Sequence, residues 1–320
     1  MSQSTFIISL DFELFWGMQD VVSLEEYKEN ILGVRKAIPM MLEMFRNKGI
    51  HATWATVGYV FGENSDEVAR YFPALRPTYK NESLSTYACF DNIGKGEHTE
   101  DCYYGYDLIK AISLVPGQEI GSHTFSHYYC REEGQTVEQF VADMEAAKAI
   151  AAAKGFELKS VVFPRNQSLP EYTRALAEMG FIAYRDEEND WIHEKIHFKP
   201  LLRALRLLDV YIPLTGQSCH EPKNEDGIVN LIGSRMYKPF FRPLAFMERM
   251  KLNRIKKQMK YAAKNGKVFH LWWHPHNVGI HNELHMKQLE EIIEYYEALR
   301  CKYGMRSLNM YEAAAEILNG

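Results

Sequence analysis

The sequence predicts an α/β fold with a parallel sheet, closed as a barrel or left open. Short apolar runs rich in β-branched and aromatic residues alternate with helical patterns along the 320-residue chain. Such alternation is typical of parallel strands joined by helices. Apolar residues make up 46% of the chain and charged residues 25%, which is typical of an ordinary globular protein. No repeat period is visible, and no linker rich in proline or glycine divides the chain.

The strand signals are short apolar runs bounded by glycine, proline or polar residues. Because helical patterns separate them, we expect the strands to lie parallel in one sheet. The predicted strands are 5–10, 51–57, 118–122, 159–163, 181–184 and 267–273, with a last short strand that ends at residues 307–308.

The helix signals are amphipathic stretches with capping residues at their ends. Thr136 and Gln139 are spaced as a capping box for a helix that ends at Gly155, and Asn309 and Glu312 precede the last helix in the same way. The first long helix contains a proline, at which we expect an interruption or a kink. The predicted helices are 24–48, 136–155, 170–179, 283–302 and the one that follows residue 309.

Two stretches interrupt the alternation, and we interpret them as insertions into a single domain that spans residues 1–320. Residues 76–117 are rich in tyrosine, glycine and asparagine and look like an excursion over the surface. Residues 186–244 are irregular and contain prolines. Long irregular loops in a compact domain are often functional, although surface decoration is the simpler interpretation of both.

The charge distribution limits the partners that we expect. The formal net charge is −5, which gives no reason to expect a nucleic acid. Residues 235–267, however, contain eleven basic residues against one acid, Glu248. Such a run is typical of a solvated helix face. The alternative is a patch for an anionic ligand, such as a phosphate-linked sugar or a membrane surface.

The N-terminus and the cysteines suggest a cellular compartment. The first apolar run has no basic start and is cut at Asp11, so it is too short for a signal peptide or a membrane span. We therefore expect a cytoplasmic protein without a membrane span, for which peripheral membrane contact stays open. The five cysteines are scattered and form no Cys-x-x-Cys pair, which favours reduced thiols.

Ionisable residues follow four of the predicted strands at their carboxyl ends, where chemistry gathers in parallel α/β folds. They are Asp11 and Glu13 after "TFIISL", His123 and His127 after "QEIGS", Arg165 after "KSVVF" and His274 after "KVFHLWW". The His-x-x-x-His spacing is not specific by itself, since it occurs four times in the chain. The convergence of four strand ends is more specific, and it predicts a single site.

The residue types at these strand ends point to metal-assisted hydrolysis. Two histidines and a carboxylate with open positions are an established ligand set for zinc, iron or cobalt. The other carboxylate of "DFE" is then free to act as a base on a metal-bound water. A nearby arginine would keep that base charged, and His274 would protonate the leaving group. We interpret His276 as part of a proline turn and leave it outside the site.

Taken in order, these motifs resemble those of the polysaccharide deacetylase family, also called the NodB-homology group or carbohydrate esterase family 4. "SLDFE" is similar to the acidic first motif, and "HTFSH" matches His-[Ser/Thr]-x-x-His. "FPRN" supplies an arginine beside a proline, "ENDW" is a candidate for an aspartate before an aromatic residue, and "LWWH" matches Leu-x-x-His. The resemblance covers roughly residues 5–310. It implies a distorted (β/α)7-type barrel that removes the acetyl group of an N-acetylated sugar or, occasionally, of an O-acetyl ester.

The resemblance also implies a role for each matched residue, and it implies a bound divalent metal. Zinc is the first expectation for that metal, with cobalt, iron, nickel and manganese as alternatives. In this assignment Asp11 is the base, Glu13, His123 and His127 are the metal ligands, and His274 is the acid. Arg165 would steady Asp11, and Asp190 would orient the His274 ring.

The sequence departs from the family pattern at two positions. Phe12 separates Asp11 from Glu13, where the usual motif has two adjacent aspartates, and Arg165 follows its proline directly. A cytoplasmic member would act on a nucleotide- or lipid-linked sugar during the synthesis of surface polysaccharide or lipopolysaccharide. The basic stretch 235–267 would suit the diphosphate of such a substrate.

Three other functions remain alternatives. "HEKIH" at 193–197 matches the His-Glu-x-x-His motif of metallopeptidases, although Lys195 and Pro200 disfavour a buried helix there. A barrel of the same kind could instead open cyclic amides or imides. A catalytically inactive relative would bind a glycan without turning it over.

Overall fold

A computed structural model of the chain describes residues 3–186, 191–196 and 198–319, without the side chains of residues 193 and 194. In these residues ten strands form one sheet. The strands are β1 Thr5–Phe12, β2 Ala52–Thr56, β3 Gln118–Ser122, β4 Ser160–Val162, β5 Ala183–Arg185, β6 Lys223–Glu225, β7 Ile228–Asn230, β8 Arg235–Met236, β9 Val268–Trp273 and β10 Arg306–Leu308.

Helices and short 3₁₀ turns connect the strands. The α-helices are α1 Leu24–Lys48, α2 Ser65–Ala69, α3 Tyr106–Ser113, α4 Val137–Ala153, α5 Pro170–Glu178, α6 Trp191–Lys195, α7 Lys199–Tyr211, α8 Glu248–Asn265, α9 Asn282–Tyr303 and α10 Met310–Asn319. Among the described helices, none combines the length and the apolar character that a membrane-spanning segment requires. All five cysteines are free thiols.

The sheet is almost entirely parallel. Its order is β6-β7-β5-β4-β3-β2-β1-β9-β8, with β10 paired to the start of β1. The pairing of β6 with β7 is antiparallel. β1 is buried along its whole length and pairs in parallel with β9 and β2. The carboxyl ends of these central strands therefore lie at the same edge of the sheet. The predicted α/β fold class is confirmed.

The capping signals act as expected at both predicted boxes. The Thr136 side chain accepts from the Gln139 backbone N–H, and the Gln139 side chain accepts in return from the backbone N–H of Thr136. The Asn309 side chain accepts from the backbone N–H of Glu312 at 2.8 Å. α1 continues through Pro39 without interruption, so the expected break there is wrong.

The two stretches interpreted as irregular contain regular structure, so that expectation is wrong in part. Residues 76–117 include α3, and residues 186–244 include α6, α7 and β6 to β8. Pro200 starts α7 rather than ending a helix, because a first-turn proline loses no intrahelical hydrogen bond. Amphipathic spacing of the leucines between residues 201 and 208 was the signal for α7.

The backbone of α1 lies directly on the loop that follows β9. A Cβ atom on Gly33 would lie 1.8 Å from the carbonyl oxygen of Gly279, and one on Gly279 would lie 1.9 Å from that of Asn30. The Asn30 side chain also donates to the carbonyl oxygen of His276 at 3.3 Å. Helix and loop therefore meet at a distance that only glycine permits.

Candidate active site and metal centre

Glu13 is the centre of the site, because its buried carboxylate faces four imidazoles. Its Oε2 lies 3.2 Å from Nε2 of His123 and 3.1 Å from Nε2 of His127. Its Oε1 lies 3.0 Å from Nε2 of His276 and 3.7 Å from Nε2 of His274. Glu13 directly follows β1, and the histidines follow β3 and β9. The structure thus brings these strand ends together.

A tight turn, not a helix, brings the two histidines of "HTFSH" together. Thr124 and His127 have φ values of 62° and 55°, and the Thr124 hydroxyl accepts from the Tyr128 backbone N–H at 2.7 Å. The buried Asp143 accepts from the backbone N–H groups of Phe125 and Ser126, at 2.7 and 3.2 Å from its nearer oxygens. These bonds hold Thr124 and His127 in a left-handed backbone conformation that residues other than glycine usually avoid.

The histidine hydrogen bonds leave lone pairs directed at Glu13. Nδ1 of His123 lies 2.7 Å from the carbonyl oxygen of Val162, which can only accept, so in a neutral imidazole Nδ1 carries the proton and Nε2 is left to bind a metal. Nδ1 of His127 lies 3.1 Å from the Tyr129 hydroxyl. Burial lowers the pKa of His127, partly offset by Glu13. Such outer partners are typical of histidines that bind a metal.

The donor atoms fit a divalent ion. The ligand atoms of Glu13, His123 and His127 lie within 4.8 Å of one another. Bare imidazole nitrogens and a carboxylate repel unless a cation lies between them. Ligands at bond lengths near 2.1 Å around a tetrahedral ion stand about 3.4 Å apart, close to the separations seen here. The ligand atoms of Glu13, His274 and His276 also lie within 4.8 Å of one another.

Gly17 leaves the space that the Glu13 side chain fills. A Cβ atom at residue 17 would lie 2.1 Å from Cδ of Glu13 and 2.3 Å from both of its carboxylate oxygens. Burial raises the pKa of the Glu13 carboxyl, but the surrounding histidines, His274 first, hold it well below its ordinary value. Glu13 is therefore an ionised carboxylate in a space that only a glycine at residue 17 leaves open.

Arg185, and not Arg165, pairs with Asp11, so the expected contact between Arg165 and Asp11 is wrong. Nη1 and Nη2 of Arg185 donate to the two carboxylate oxygens of Asp11 at 2.8 and 2.7 Å. Arg185 also donates to Ser9 Oγ at 2.8 Å and to Asn166 Oδ1 at 3.0 Å. Burial raises the pKa of Asp11, but the guanidinium of Arg185 brings it below its ordinary value. Arg185 is the last residue of β5, a strand end that the sequence interpretation passed over.

Arg165 lies behind the site. It has a φ of 54° in the turn after β4, pairs with Asp20, and its guanidinium carbon lies 4.2 Å from the centre of the Tyr129 ring. Tyr129 donates to Asp20 at 3.3 Å and contacts His127. Arg165 therefore contacts His127 through Tyr129 instead of pairing with Asp11.

His274 lies beside both carboxylates. Its Nε2 is 3.6 Å from Asp11 Oδ2, and burial lowers its pKa to about 4. Its buried Nδ1 has no hydrogen-bond partner among the residues that the structure describes. Asp190, expected to orient this ring, lies outside the described residues, as does His197 of the "HEKIH" motif.

His276, left outside the predicted site, is one of its buried members. In addition to its 3.0 Å contact with Glu13, its Nδ1 lies 2.9 Å from the hydroxyl of Tyr27 on α1. If that hydroxyl donates, Nε2 carries the proton and donates to Oε1 of Glu13. This bond fixes Oε1, whereas Oε2 faces His123 and His127. The i, i+2 spacing of His274 and His276 was the available signal.

Known proteins resemble this chain in fold. The sequence matches no protein-family model and no curated protein. Among solved structures, a Mycobacterium smegmatis protein assigned as a polysaccharide deacetylase is similar at a TM-score of 0.60 and 13% identity, over 98% of this chain and 91% of that one. A Pseudomonas aeruginosa protein with the same assignment gives a TM-score of 0.55 and 13% identity, over 97% and 89% of the two chains. An allantoinase gives 0.56 and 12%, over 97% and 88%.

These similarities define the class of fold. The chain has the (β/α)-barrel fold shared by proteins assigned as polysaccharide deacetylases and by an allantoinase. The expected resemblance is thus confirmed in fold. Its site, with a buried carboxylate among histidines, occupies the carboxyl ends of the parallel strands, where folds of this kind carry their chemistry.

Proposed function

We propose that this protein is a metal-dependent deacetylase that hydrolyses the acetamide of an N-acetylated sugar. The observation that carries the proposal is the triad Glu13, His123 and His127, with ionised Asp11 beside it, at the strand ends of a deacetylase fold. Zinc is the proposed metal because two imidazoles and one carboxylate with an open position suit it. A divalent ion bound there lowers the pKa of a bound water and polarises the acyl oxygen.

Asp11 is the proposed base. Arg185 holds it ionised and fixes both of its oxygens, so its orientation does not depend on the substrate. It takes a proton from the attacking water, and Nε2 of His274 stands 3.6 Å from Asp11 Oδ2.

His274 is the proposed acid. Since its pKa of about 4 makes it neutral in the resting protein, it receives its proton during the reaction, from Asp11. It then passes that proton to the leaving amine nitrogen as the carbon–nitrogen bond breaks. The products are acetate and the free amino sugar. Orientation of the ring by Asp190 stays a prediction.

A basic cavity beside the site is the proposed place for an anionic part of the substrate. It has a volume of about 560 Å³, and Trp272 forms part of its wall. Trp272 also contacts the Arg185 guanidinium at 4.2 Å and the His274 ring at 5.9 Å. The cavity is therefore adjacent to the catalytic groups. Its basic lining residues are Arg165, Arg203, Arg206, Arg235 and Lys238.

Five of the eleven basic residues of the stretch 235–267 are paired with acids. Arg235 and Arg254 pair with Asp209, Lys251 pairs with Glu248, and two further cations pair with Glu291. We therefore assign a phosphate-linked sugar to the cavity, to which this stretch contributes Arg235 and Lys238. Such a substrate is typical of precursors of surface polysaccharide, and a cytoplasmic location stays a prediction.

The test compares metal content with turnover. Wild type, Glu13→Ala and His127→Ala are loaded with Zn²⁺, desalted and analysed by mass spectrometry, with His281→Asn as a control at an exposed histidine outside the site. We expect one ion in wild type and in His281→Asn, and none in the other two. Asp11→Asn should keep its ion but release no acetate from N-acetyl sugars that the wild type hydrolyses.

Three results would redirect the proposal. Turnover of cyclic amides without acetate release would favour the allantoinase-like alternative. Sugar binding by Asp11→Asn and wild type alike, with no turnover by either, would favour an inactive glycan-binding protein. Zinc retained by Glu13→Ala would place the ion elsewhere.

A further inference from the structure

Exposed apolar side chains are concentrated in one segment of the chain. Among the described residues, fourteen large hydrophobic side chains are exposed, and nine of them lie between residues 191 and 250. Scattered single apolar residues need no explanation, but a contiguous group marks an interaction site. The nine are Trp191, Phe198, Leu201, Leu207, Leu208, Ile212, Phe241, Phe246 and Met250.

α7 carries the continuous part of this surface. Leu201 and Leu208 are spaced at i and i+7, so they share one side of the helix, and Ile212 directly follows its last residue. Each of the three is at least 40% exposed. Phe198 precedes α7 and is 68% exposed. The Trp191 indole N–H donates to the carbonyl oxygen of Leu214 at 3.1 Å, which places α6 beside the end of α7. We call these five residues the α7 face.

α7 itself has more basic than acidic residues. α7 contains exposed Lys199, Arg203 and Arg206 and one acid, Asp209. Asp209 is buried and accepts from both Arg235 and Arg254, so it does not offset the outer cations.

The neighbouring helix adds more positive charge. α8 is joined to the end of α7 by the bond from Arg254 Nη1 to the carbonyl oxygen of Ile212, at 2.8 Å. It exposes Lys257, Lys260 and Lys264 along one side. An apolar helix face thus lies among cations.

We propose that the α7 face binds an anionic membrane surface. A helix that lies in a membrane interface has leucine and aromatic side chains on one face and lysine and arginine on the other, and cations near the surface add attraction to anionic lipids. Tryptophan and phenylalanine at the helix ends suit the boundary between headgroups and acyl chains.

This docking would place the basic cavity close to the membrane. Leu207 and Val210 of α7 line that cavity, together with Arg203 and Arg206. A substrate that carries a phosphate at the membrane surface would then reach the cavity without leaving the lipid. The inference about docking does not depend on the deacetylase activity, because Leu201, Leu208 and Ile212 do not line the cavity.

The test is vesicle co-sedimentation of the whole protein. Vesicles of phosphatidylcholine alone are compared with vesicles of phosphatidylcholine and phosphatidylglycerol, at low and high salt. The apolar variant is Leu208→Ser with Ile212→Ser. Its matched control is Leu114→Ser, since Leu114 is 78% exposed at the end of α3. The charge variant is Lys199→Glu with Lys257→Glu, which do not line the cavity, and its control is Lys36→Glu with Lys302→Glu, at two exposed lysines elsewhere.

We expect wild type to bind the anionic vesicles, and salt to weaken that binding. The apolar and charge variants should each bind at least about tenfold more weakly than wild type. Both controls and Asp11→Asn should bind as wild type does. Circular dichroism of each variant checks that it is folded.

Three outcomes would overturn the inference. The first is no binding of wild type to either kind of vesicle. The second is equal loss in Leu114→Ser, which would show non-specific adsorption. The third is a dimer in light scattering that the apolar variant dissociates, without vesicle binding, which would make a second copy of the chain the partner.

Discussion

Replacement of Arg185 by lysine is the sharpest test of how the site is built. Lysine keeps the positive charge but loses the planar pair of donors that meets both oxygens of Asp11. Arg165→Lys is the matched control, because it makes the same chemical change at an arginine in a partly exposed ion pair with Asp20.

The two substitutions should differ severalfold in how much they lower the free energy of unfolding. The Arg185 side chain is 1% exposed and also donates to Ser9 and Asn166. Loss of a buried charge-assisted hydrogen bond costs about 1.5–3 kcal/mol, and disruption of a buried ion pair about 3–5 kcal/mol. We therefore expect Arg185→Lys to lower the free energy of unfolding by about 3 kcal/mol. Arg165→Lys should cost less than about 1 kcal/mol, because its side chain is 36% exposed.

Urea unfolding of the two variants and the wild type, in the presence of a chelator, measures these free energies without a contribution from bound metal. A double-mutant cycle with Asp11→Asn isolates the pair. The cost of Arg185→Lys should shrink when Asp11 is already neutral. Equal costs for the two arginine variants, or an additive cycle, would refute the assignment of Arg185 as the partner of Asp11.

Three further perturbations test the surroundings of the site. Gly17→Ala should abolish zinc retention at unchanged circular dichroism, because its Cβ would overlap the Glu13 carboxylate. His276→Gln should weaken zinc binding about tenfold in a competition titration with a chromophoric chelator, since outer-shell partners typically contribute that much. The 2.7 Å bond to Glu312 raises the pKa of His51 above its ordinary 6.5. The stabilisation from this pair should therefore be complete below about pH 6.5 and lost as the pH rises through the raised pKa. Thermal unfolding at several pH values should show this loss in wild type and its absence in Glu312→Gln.

The strand-end argument predicted which side chains lie close together where the strand was long. β1, β3 and β9 are regular enough for their ends to be located from the sequence, and the side chains that follow them meet around Glu13. β4 and β5 are only three residues long. Their neighbouring arginines, Arg165 and Arg185, could not be distinguished by position, because a left-handed turn directs one away from Asp11.

Other features depend on contacts that no local pattern contains. His276 belongs to the site because Tyr27, on a helix far away in sequence, contacts its other nitrogen. Its i, i+2 spacing from His274 was a local signal for this position, but the His-Pro-His turn equally suggested a role in backbone structure. α7 was missed for another reason: Pro200 was interpreted as the end of a helix when it is compatible with a beginning.

The glycine-to-glycine approach between α1 and the loop after β9 has a consequence for how this site could fail or be redesigned. Gly33 and Gly279 carry no chemistry, yet any side chain at either position would drive the loop away from α1. His276 sits in that loop and would move with it. A deep mutational scan should therefore find positions 33 and 279 as intolerant as the metal ligands. A designer who transplants the "HPHN" loop into another barrel must transplant the helix surface beneath it as well.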